Sequence, residues 1–161
     1  MKHISYSELK IWAECPYKHK LMYIDRVKGF VGNEFTAFGK AIHEVCEFSI
    51  AGILDDPEDF FNLTFERELS SINLEDNKLI TEMRDQGKAL IPHIVPEVKK
   101  TFGNYEVFSV EEKLYEDIND VDFDYKMKGF IDLVLKTEDG KYHVIDWKTC
   151  SWGWNAEKKT S

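Results

Sequence analysis

The stretch of sequence that decides the fold is Gly129-Phe130-Ile131-Asp132, followed after a short turn by Val144-Ile145-Asp146-Trp147-Lys148-Thr149. Both runs are rich in branched and aromatic residues, which is typical of β-strands. They nevertheless place two aspartates and a lysine inside the most apolar part of the chain. A buried carboxylate is costly unless a partner compensates for its charge, and a metal ion is such a partner.

The turn between the two runs decides whether the aspartates meet. A three-residue loop, Glu138-Asp139-Gly140, with Gly140 in the left-handed region, would place Asp132 opposite Asp146. A two-residue Asp-Gly loop would place Asp132 opposite Trp147 instead and separate the carboxylates. We prefer the first register because it makes both faces of the strands chemically sensible.

Opposed carboxylates have Cβ atoms about 5 Å apart and repel each other, but at that spacing they bind a hard divalent cation well. Asp146 and Lys148 are two residues apart, so a strand would direct both side chains to one face. A metal can lower the pKa of a bound water, and Lys148 can steady that water or the charge that develops on a phosphate. The alternative is an ion pair between Lys148 and the aspartates without a metal. The apolar setting and the partner Asp132 favour the metal.

The bulk composition fits a single soluble globular domain. The chain has 161 residues, of which 43% are hydrophobic and 32% are charged. Its net charge of −9 argues against a protein that coats nucleic acid by charge alone, but does not exclude an acidic cluster that holds cations. An odd count of three cysteines favours a reducing compartment. With no membrane-spanning run and no signal peptide, we expect a cytoplasmic protein without membrane partners.

The N-terminal two thirds of the chain has helical patterns. Ser5 to Glu8 fits a capping box, and the first helix is expected to end near Glu14 and to restart at Pro16. Three further helices are expected: one over Phe35–Ser49, one that starts at Asp55-Asp56-Pro57, and one over Leu74–Leu90 that Pro92 and Pro96 bend or end.

From Tyr105 onwards, apolar residues recur at every second position, which indicates strands. In the first strand Phe108, Val110, Glu112 and Leu114 are expected to share one face. The next strands are expected over Met127–Leu135 and Lys141–Thr149, both central and covered on both faces. The predicted fold class is α/β in α+β order, with N-terminal helices followed by a central three-stranded meander.

These motifs together resemble the PD-(D/E)XK nuclease superfamily, and most of all its RecB-type nuclease domain, which AddB-like, phage and CRISPR-associated exonucleases also use. Ser5–Asp25, with Cys15-Pro16 at its centre, is similar to the family's N-terminal helical motif. Phe38-Gly39-Lys40-Ala41-Ile42-His43-Glu44 is similar to its Gly-x-x-x-His helix. The two strand motifs follow in the family's order, so the resemblance covers almost the whole chain.

The resemblance implies a restriction-endonuclease-like core and a set of roles. It implies that His43, Asp132 and Asp146 are metal ligands, with the main-chain carbonyl of Trp147 completing the site. It implies that Lys148 is the catalytic lysine, and that Asp132 and Asp146 share in catalysis. The reaction would be hydrolysis of DNA phosphodiester bonds with Mg²⁺ or Mn²⁺, by an exonuclease of recombination, repair or phage DNA processing. A helicase or recombination partner is expected.

Relatives of this type carry a Gln-x-x-x-Tyr helix after the lysine strand, and the printed sequence has no such motif. We therefore expect residues 1–161 to form a single RecB-type domain without that helix, as a fragment or a short form. Iron–sulfur relatives have a cluster cysteine where Cys15 stands and three more near the C-terminus, where only Cys150 lies. No iron–sulfur cluster is expected from this chain.

Several residues are weaker candidates. His43 read alone is ambiguous, since a lone helical histidine is more often structural. Gly39, one turn earlier, would let a strand or nucleic acid come close. Glu112 is a further candidate for the metal site, and an ordinary strand-end glutamate is the alternative. Candidates for nucleic-acid contacts are Tyr17, Lys18 and Lys20, with a solvated helix face as the alternative, and Trp152 and Trp154, which could stack on bases or pack on an edge strand.

Three functions remain at this point. The first is the metal-dependent nuclease. The second is a catalytically inert module of the same fold that binds DNA ends or a partner, which the net charge of −9 slightly favours. The third is a structural acidic domain whose Asp146 and Lys148 form an internal ion pair, which would leave the two N-terminal motifs as coincidences.

Overall fold

The computed structural model of the chain describes residues 2–27, 29, 31–119 and 125–149, and the chain divides into two units. Met1–Gly32 and Asn104–Ile145 form the sheet unit. Asn33–Gly103 and Asp146–Ser161 form the helical unit. Helices precede most of the sheet along the chain, which confirms the mixed α/β class and its restriction-endonuclease-like core. The single-domain organisation stays a prediction.

The sheet unit is built around one long strand. Its strands in the described part of the chain are β1 (Lys2–Ser5), β2 (Tyr105–Asp117), β3 (Tyr125–Thr137) and β4 (Tyr142–Ile145). β2 runs antiparallel along one edge of β3, while parallel β1 and antiparallel β4 occupy successive parts of the other edge. Leu133, Val134 and Leu135 are consecutive and all buried, so both faces of β3 are covered there and its central position is confirmed.

The hairpin between β3 and β4 has the predicted three-residue loop. The Thr137 N–H donates to the Lys141 carbonyl over 3.0 Å, and Gly140 has a φ of +81°, in the left-handed region that favours glycine. The ladder then runs from Lys136↔Tyr142 to Leu133↔Ile145. This register excludes the two-residue loop.

β4 is shorter and less buried than predicted. It ends at Ile145, so the expected strand over Lys141–Thr149 is wrong beyond that residue. Within the described strands it pairs only with β3, and Tyr142 and Val144 are 52% and 66% exposed, so its predicted central position is also wrong. The physical reason is the Trp147 side chain, which packs against the core of the helical unit and so takes this part of the chain out of the ladder.

β2 contains a bulge that the alternation of apolar residues in the sequence did not predict. Val107 pairs with Leu135 and Ser109 with Val134, so Phe108 is the extra residue. The bulge shifts the alternation, and Phe108 does not share the face of Val110 and Leu114 as predicted. Glu112 does keep that face, because the register is continuous from Val110 onwards.

The N-terminal segment combines a predicted helix pair with a strand that was missed. α1 (Tyr6–Glu14) starts at Ser5, whose Oγ accepts a hydrogen bond from the Glu8 N–H over 3.2 Å. α2 (Pro16–His19) has Pro16 in its first turn, as predicted, and continues into a π-helical turn, Lys20–Ile24. β1 is short and polar, so its sequence carries little strand signal, and only its pairing with Tyr125–Lys128 defines it.

The helical unit contains α3 (Glu34–Ile50), α4 (Pro57–Ser71) and α5 (Lys78–Phe102) in the part of the chain that the structure describes. Each begins at a side-chain cap, namely Asn33, Asp56 and Asn77. Phe61 and Phe65 are fully buried and stack with ring centroids 5.6 Å apart, and Phe38 meets both edge-on. These rings form the centre of the helical core.

α5 does not end near Leu90, as the prolines had indicated. It continues through Pro92 and Pro96 to Phe102 and stops at Gly103, whose φ is +70°. Each proline removes one helical hydrogen bond. The buried stripe of the helix continues through and past them with Ile91 and Val98, so tertiary packing outweighs the local preference. Of the helices in the described ranges, none is long and apolar enough to cross a membrane.

Candidate functional site

α3 carries a histidine and a carboxylate on one face. His43 and Glu47 are four residues apart, which puts them on successive turns of the same side of the helix. A ring nitrogen of His43 and a carboxylate oxygen of Glu47 lie within 4.8 Å of each other. Glu47 is only 2% exposed. Sequence reasoning identified His43 but missed Glu47, although the His-x-x-x-Glu spacing was a signal that could have found it.

Glu47 and its neighbour on α3, Cys46, are both buried. Burial raises the pKa of the neighbouring Cys46 thiol to about 12, and the negative charge of Glu47 adds to the effect. Cys46 is therefore a neutral thiol at neutral pH and not a thiolate ligand. A carboxylate in such a setting is stabilised by a cation, and an imidazole next to it adds a nitrogen donor. This donor pair fits a divalent metal ion.

The segment after β4 brings two predicted site residues together. The Lys148 Nζ donates to Asp146 Oδ1 over 2.5 Å and to the Trp147 carbonyl over 3.3 Å. The Lys148 and Asp146 side chains are 55% and 61% exposed, so the pair itself adds little stability. The pair forms in a segment without regular secondary structure and not on a strand face, which corrects the predicted geometry. A contact between Lys148 and Asp146 is also what the alternative without a metal predicts.

Gly39 explains how α3 and this segment approach each other. A Cβ atom at Gly39 would lie 3.2 Å from the Thr149 Oγ1, closer than ordinary van der Waals contact. The glycine therefore admits the chain immediately after Lys148 against α3. His43 lies one turn further along the same helix. The segment that approaches Gly39 is not a strand, and an approach of nucleic acid to Gly39 stays a prediction.

Asp132 lies on β3 in the sheet unit and is half-buried. The last pair of the β3–β4 ladder is Leu133↔Ile145. Asp132 directly precedes Leu133 in the sequence and Asp146 directly follows Ile145, as the predicted register requires. Their direct pairing lies beyond the end of the ladder and stays a prediction.

The neighbour of Asp132 on β2 is Glu111 rather than Glu112. Val110 pairs with Leu133 and Glu112 with Ile131, so Glu111 and Asp132 are the residues between these pairs. Glu112 therefore shares the face of Ile131, which is the other side of β3. Glu111 has a φ of +47°, an uncommon conformation for a non-glycine residue in a strand.

The remaining candidates lie in the N-terminal helical segment or outside the described residues. Tyr17 is exposed, whereas Lys18 is paired with Glu14 at 3.2 Å and Lys20 with Asp25 at 2.5 Å. The positive charge of this patch is therefore largely compensated. Cys15 is a half-buried free thiol that caps α2. Trp152, Trp154 and Cys150 lie outside the residues that the structure describes.

Comparison with known proteins identifies the family. The family model described as the PD-(D/E)XK nuclease superfamily matches residues 3–160, almost the whole chain. The chain therefore belongs to the PD-(D/E)XK nuclease superfamily, which implies a metal-dependent nuclease that binds nucleic acid. No curated protein matches the chain.

Proposed function

We propose that this chain is a divalent-metal-dependent deoxyribonuclease of the RecB type, an exonuclease that acts on DNA ends or single strands. The observation that carries the proposal is the pairing of Lys148 with Asp146 in a segment that packs against Gly39 of α3, the helix that presents His43 and Glu47. Family membership gives this arrangement its chemical meaning.

The proposed metal ligands are His43, Asp132, Asp146 and the carbonyl of Trp147, to which we add Glu47. The donors are mostly oxygens, which suits Mg²⁺ or Mn²⁺, and the imidazole favours Mn²⁺ of the two. When bound, the cation supplies polarisation of the phosphodiester and a lower pKa for the attacking water.

The protein's own groups position the reactants. The Lys148 ammonium can hold the attacking water and stabilise the negative charge that develops on the phosphate. Asp146 orients that ammonium through their 2.5 Å contact. The Trp147 ring anchors the segment on the helical core, so the lysine is attached to a rigid support.

The choice of DNA, of end-directed cleavage and of a recombination, repair or phage context rests on the resemblance of the four motifs to RecB-type domains. A helicase or recombination partner is proposed on the same resemblance, and the cytoplasmic location is retained from the sequence analysis. The net charge of −9 is compatible with DNA as the substrate if a bound cation supplies positive charge at the site.

The test is cleavage of end-labelled single- and double-stranded DNA by wild type and Lys148→Ala with Mg²⁺, with Mn²⁺ and with EDTA. We expect metal-dependent cleavage that Lys148→Ala lowers by about 10²- to 10³-fold, because a preorganised stabilising group is lost. Lys141→Ala is the matched control, since Lys141 also pairs with a nearby aspartate, Asp139, but on the hairpin turn. Equal rates for Lys148→Ala and Lys141→Ala would contradict the proposed role.

The second candidate is the inert binding module. The net charge of −9 and the paired lysines near Tyr17 limit the DNA affinity that charge can provide. This counts against efficient cleavage by the chain alone and, in that respect only, favours the inert module. It predicts DNA or partner binding that is unchanged by EDTA, with no cleavage under any of the conditions above.

A further inference from the structure

The helical unit contains a pocket that is lined in part by the residue after Lys148. It has a volume of about 290 Å³ and lies between the first turns of α3, the first half of α5 and the segment after Lys148. Its lining includes Phe35, Thr36, Phe38, Met83, Gln86 and Thr149. Because Thr149 directly follows Lys148, one wall of the pocket is covalently attached to the proposed catalytic lysine.

The inner wall of this pocket is apolar and firmly supported. Phe38 and Met83 are each only 6% exposed. The Phe38 ring packs edge-on against Phe61 and Phe65, with centroids 5.9 and 5.8 Å away. Phe35 also lines the pocket and is 45% exposed, so part of its aromatic side chain is open to solvent. A flat apolar ring could therefore enter without rearranging the core.

The polar groups of the pocket select the kind of occupant. Among the described residues, the lining has no charged side chain, so nothing there would compensate a phosphate. The Gln86 amide can both donate and accept, and the Thr149 hydroxyl can do the same. The Thr36 hydroxyl is already engaged with Asn33 in the cap of α3. The occupant is expected to be a neutral flat ring with donors and acceptors on its edge.

We propose that the pocket binds one unpaired nucleobase of the DNA strand that is cleaved, an inference that rests on the proposed function. A volume of 290 Å³, at the lower limit of about 300–1,000 Å³ for small-ligand pockets, is sufficient for one ring system, and the described lining has no charged side chain for a phosphate. Every base has an aromatic face that can stack on Phe35, so the site would tolerate different bases. It would favour single strands and frayed ends, since a paired base cannot enter.

The test uses single-stranded oligonucleotides that carry the fluorescent base 2-aminopurine at successive positions, in Ca²⁺ buffer to keep a divalent cation while slowing cleavage. We expect one position at which the fluorescence changes on binding. At that position Phe35→Ala and Gln86→Leu should each weaken binding about tenfold, and an abasic site should do the same. Leu63→Ala, which removes another exposed apolar side chain of the helical unit, is the control and should bind like wild type.

The outcomes separate this inference from the proposed function, because cleavage of unlabelled DNA by wild type is measured in parallel with Mg²⁺. Cleavage without a position-specific signal, or with a signal that Phe35→Ala and Gln86→Leu leave intact, would overturn the base pocket and keep the nuclease. A signal that both variants lose, in a protein that does not cleave, would support the pocket and refute the nuclease. In a competition experiment, an apolar dye is bound to the pocket before the oligonucleotide is added. If saturating oligonucleotide does not displace the dye, the pocket takes an apolar partner and the inference is overturned.

Discussion

At the scale of the residue, Glu47 adds a carboxylate donor to the proposed site. The candidates taken from motifs are His43 on a helix and Asp132, Asp146 and Lys148 near the strands. A carboxylate that is 2% exposed and within 4.8 Å of the His43 ring adds a donor that motif reading did not identify. A cation bound beside this buried carboxylate would stabilise its negative charge.

Cys46 gives the protein a specific sensitivity to alkali. Its folded-state pKa is raised from 9.0 to about 12, so the folded thiol stays protonated while the unfolded thiol ionises. The stabilising contribution is therefore complete below about pH 9 and is lost between pH 9 and pH 12, by about 1.4 kcal/mol for each pH unit.

Cys46→Ala should remove this dependence. Denaturant melts from pH 7 to pH 11 should show a constant cost of about 1 kcal/mol for the variant below pH 9, from the small cavity. Above pH 9 the wild type should lose free energy of unfolding faster than the variant, until their order reverses. Parallel curves up to pH 11 would contradict the burial of a neutral thiol at this position.

At the scale of the element, α5 depends on a glycine for its contact with α4. A Cβ atom at Gly87 would lie 2.2 Å from Phe61 Cζ, and the Phe61 ring is fully buried. Gly87→Ala should therefore destabilise the protein by about 1–3 kcal/mol in denaturant melts, even though alanine favours helix by about 1 kcal/mol.

A second substitution makes this prediction specific. Phe61→Leu shortens the side chain that meets the new methyl group, so the double variant should be more stable than the sum of the two single effects requires. Asp85→Ala, on an exposed position of the same helix, serves as the control for a general effect on α5. Additive effects of Gly87→Ala and Phe61→Leu would refute the close contact.

The elements also show where pattern reading succeeds. The caps at Ser5 and Asp56, the break at Pro16 and the hairpin register at Gly140 follow from local chemistry, and all are observed. β1, the bulge at Phe108 and the end of β4 depend on partners distant in sequence, so no local signal specifies them. The continuation of α5 through two prolines is likewise decided by burial and not by propensity.

At the scale of the whole molecule, the order of motifs along the chain predicts the PD-(D/E)XK superfamily, and the family model confirms it. Of the site itself, the Lys148–Asp146 pair and the role of Gly39 are observed within the helical unit, whereas Glu47 and Glu111 appear only from burial and register. Residues that act together but come from separate helices and strands cannot be joined by spacing alone. Membership of the superfamily implies metal-dependent nuclease chemistry, which makes metal-dependent cleavage the central claim.

The most direct measurement is calorimetric titration of Mn²⁺ into wild type and Asp132→Ala, with cleavage of labelled DNA in the same buffer. Asp117→Ala, an exposed aspartate at the end of β2, is the control. We expect wild type and the control to bind Mn²⁺ and cleave DNA, while Asp132→Ala keeps its fold by circular dichroism but loses both activities. Cleavage by Asp132→Ala at the wild-type rate, or no Mn²⁺ binding by the wild type, would contradict the claim.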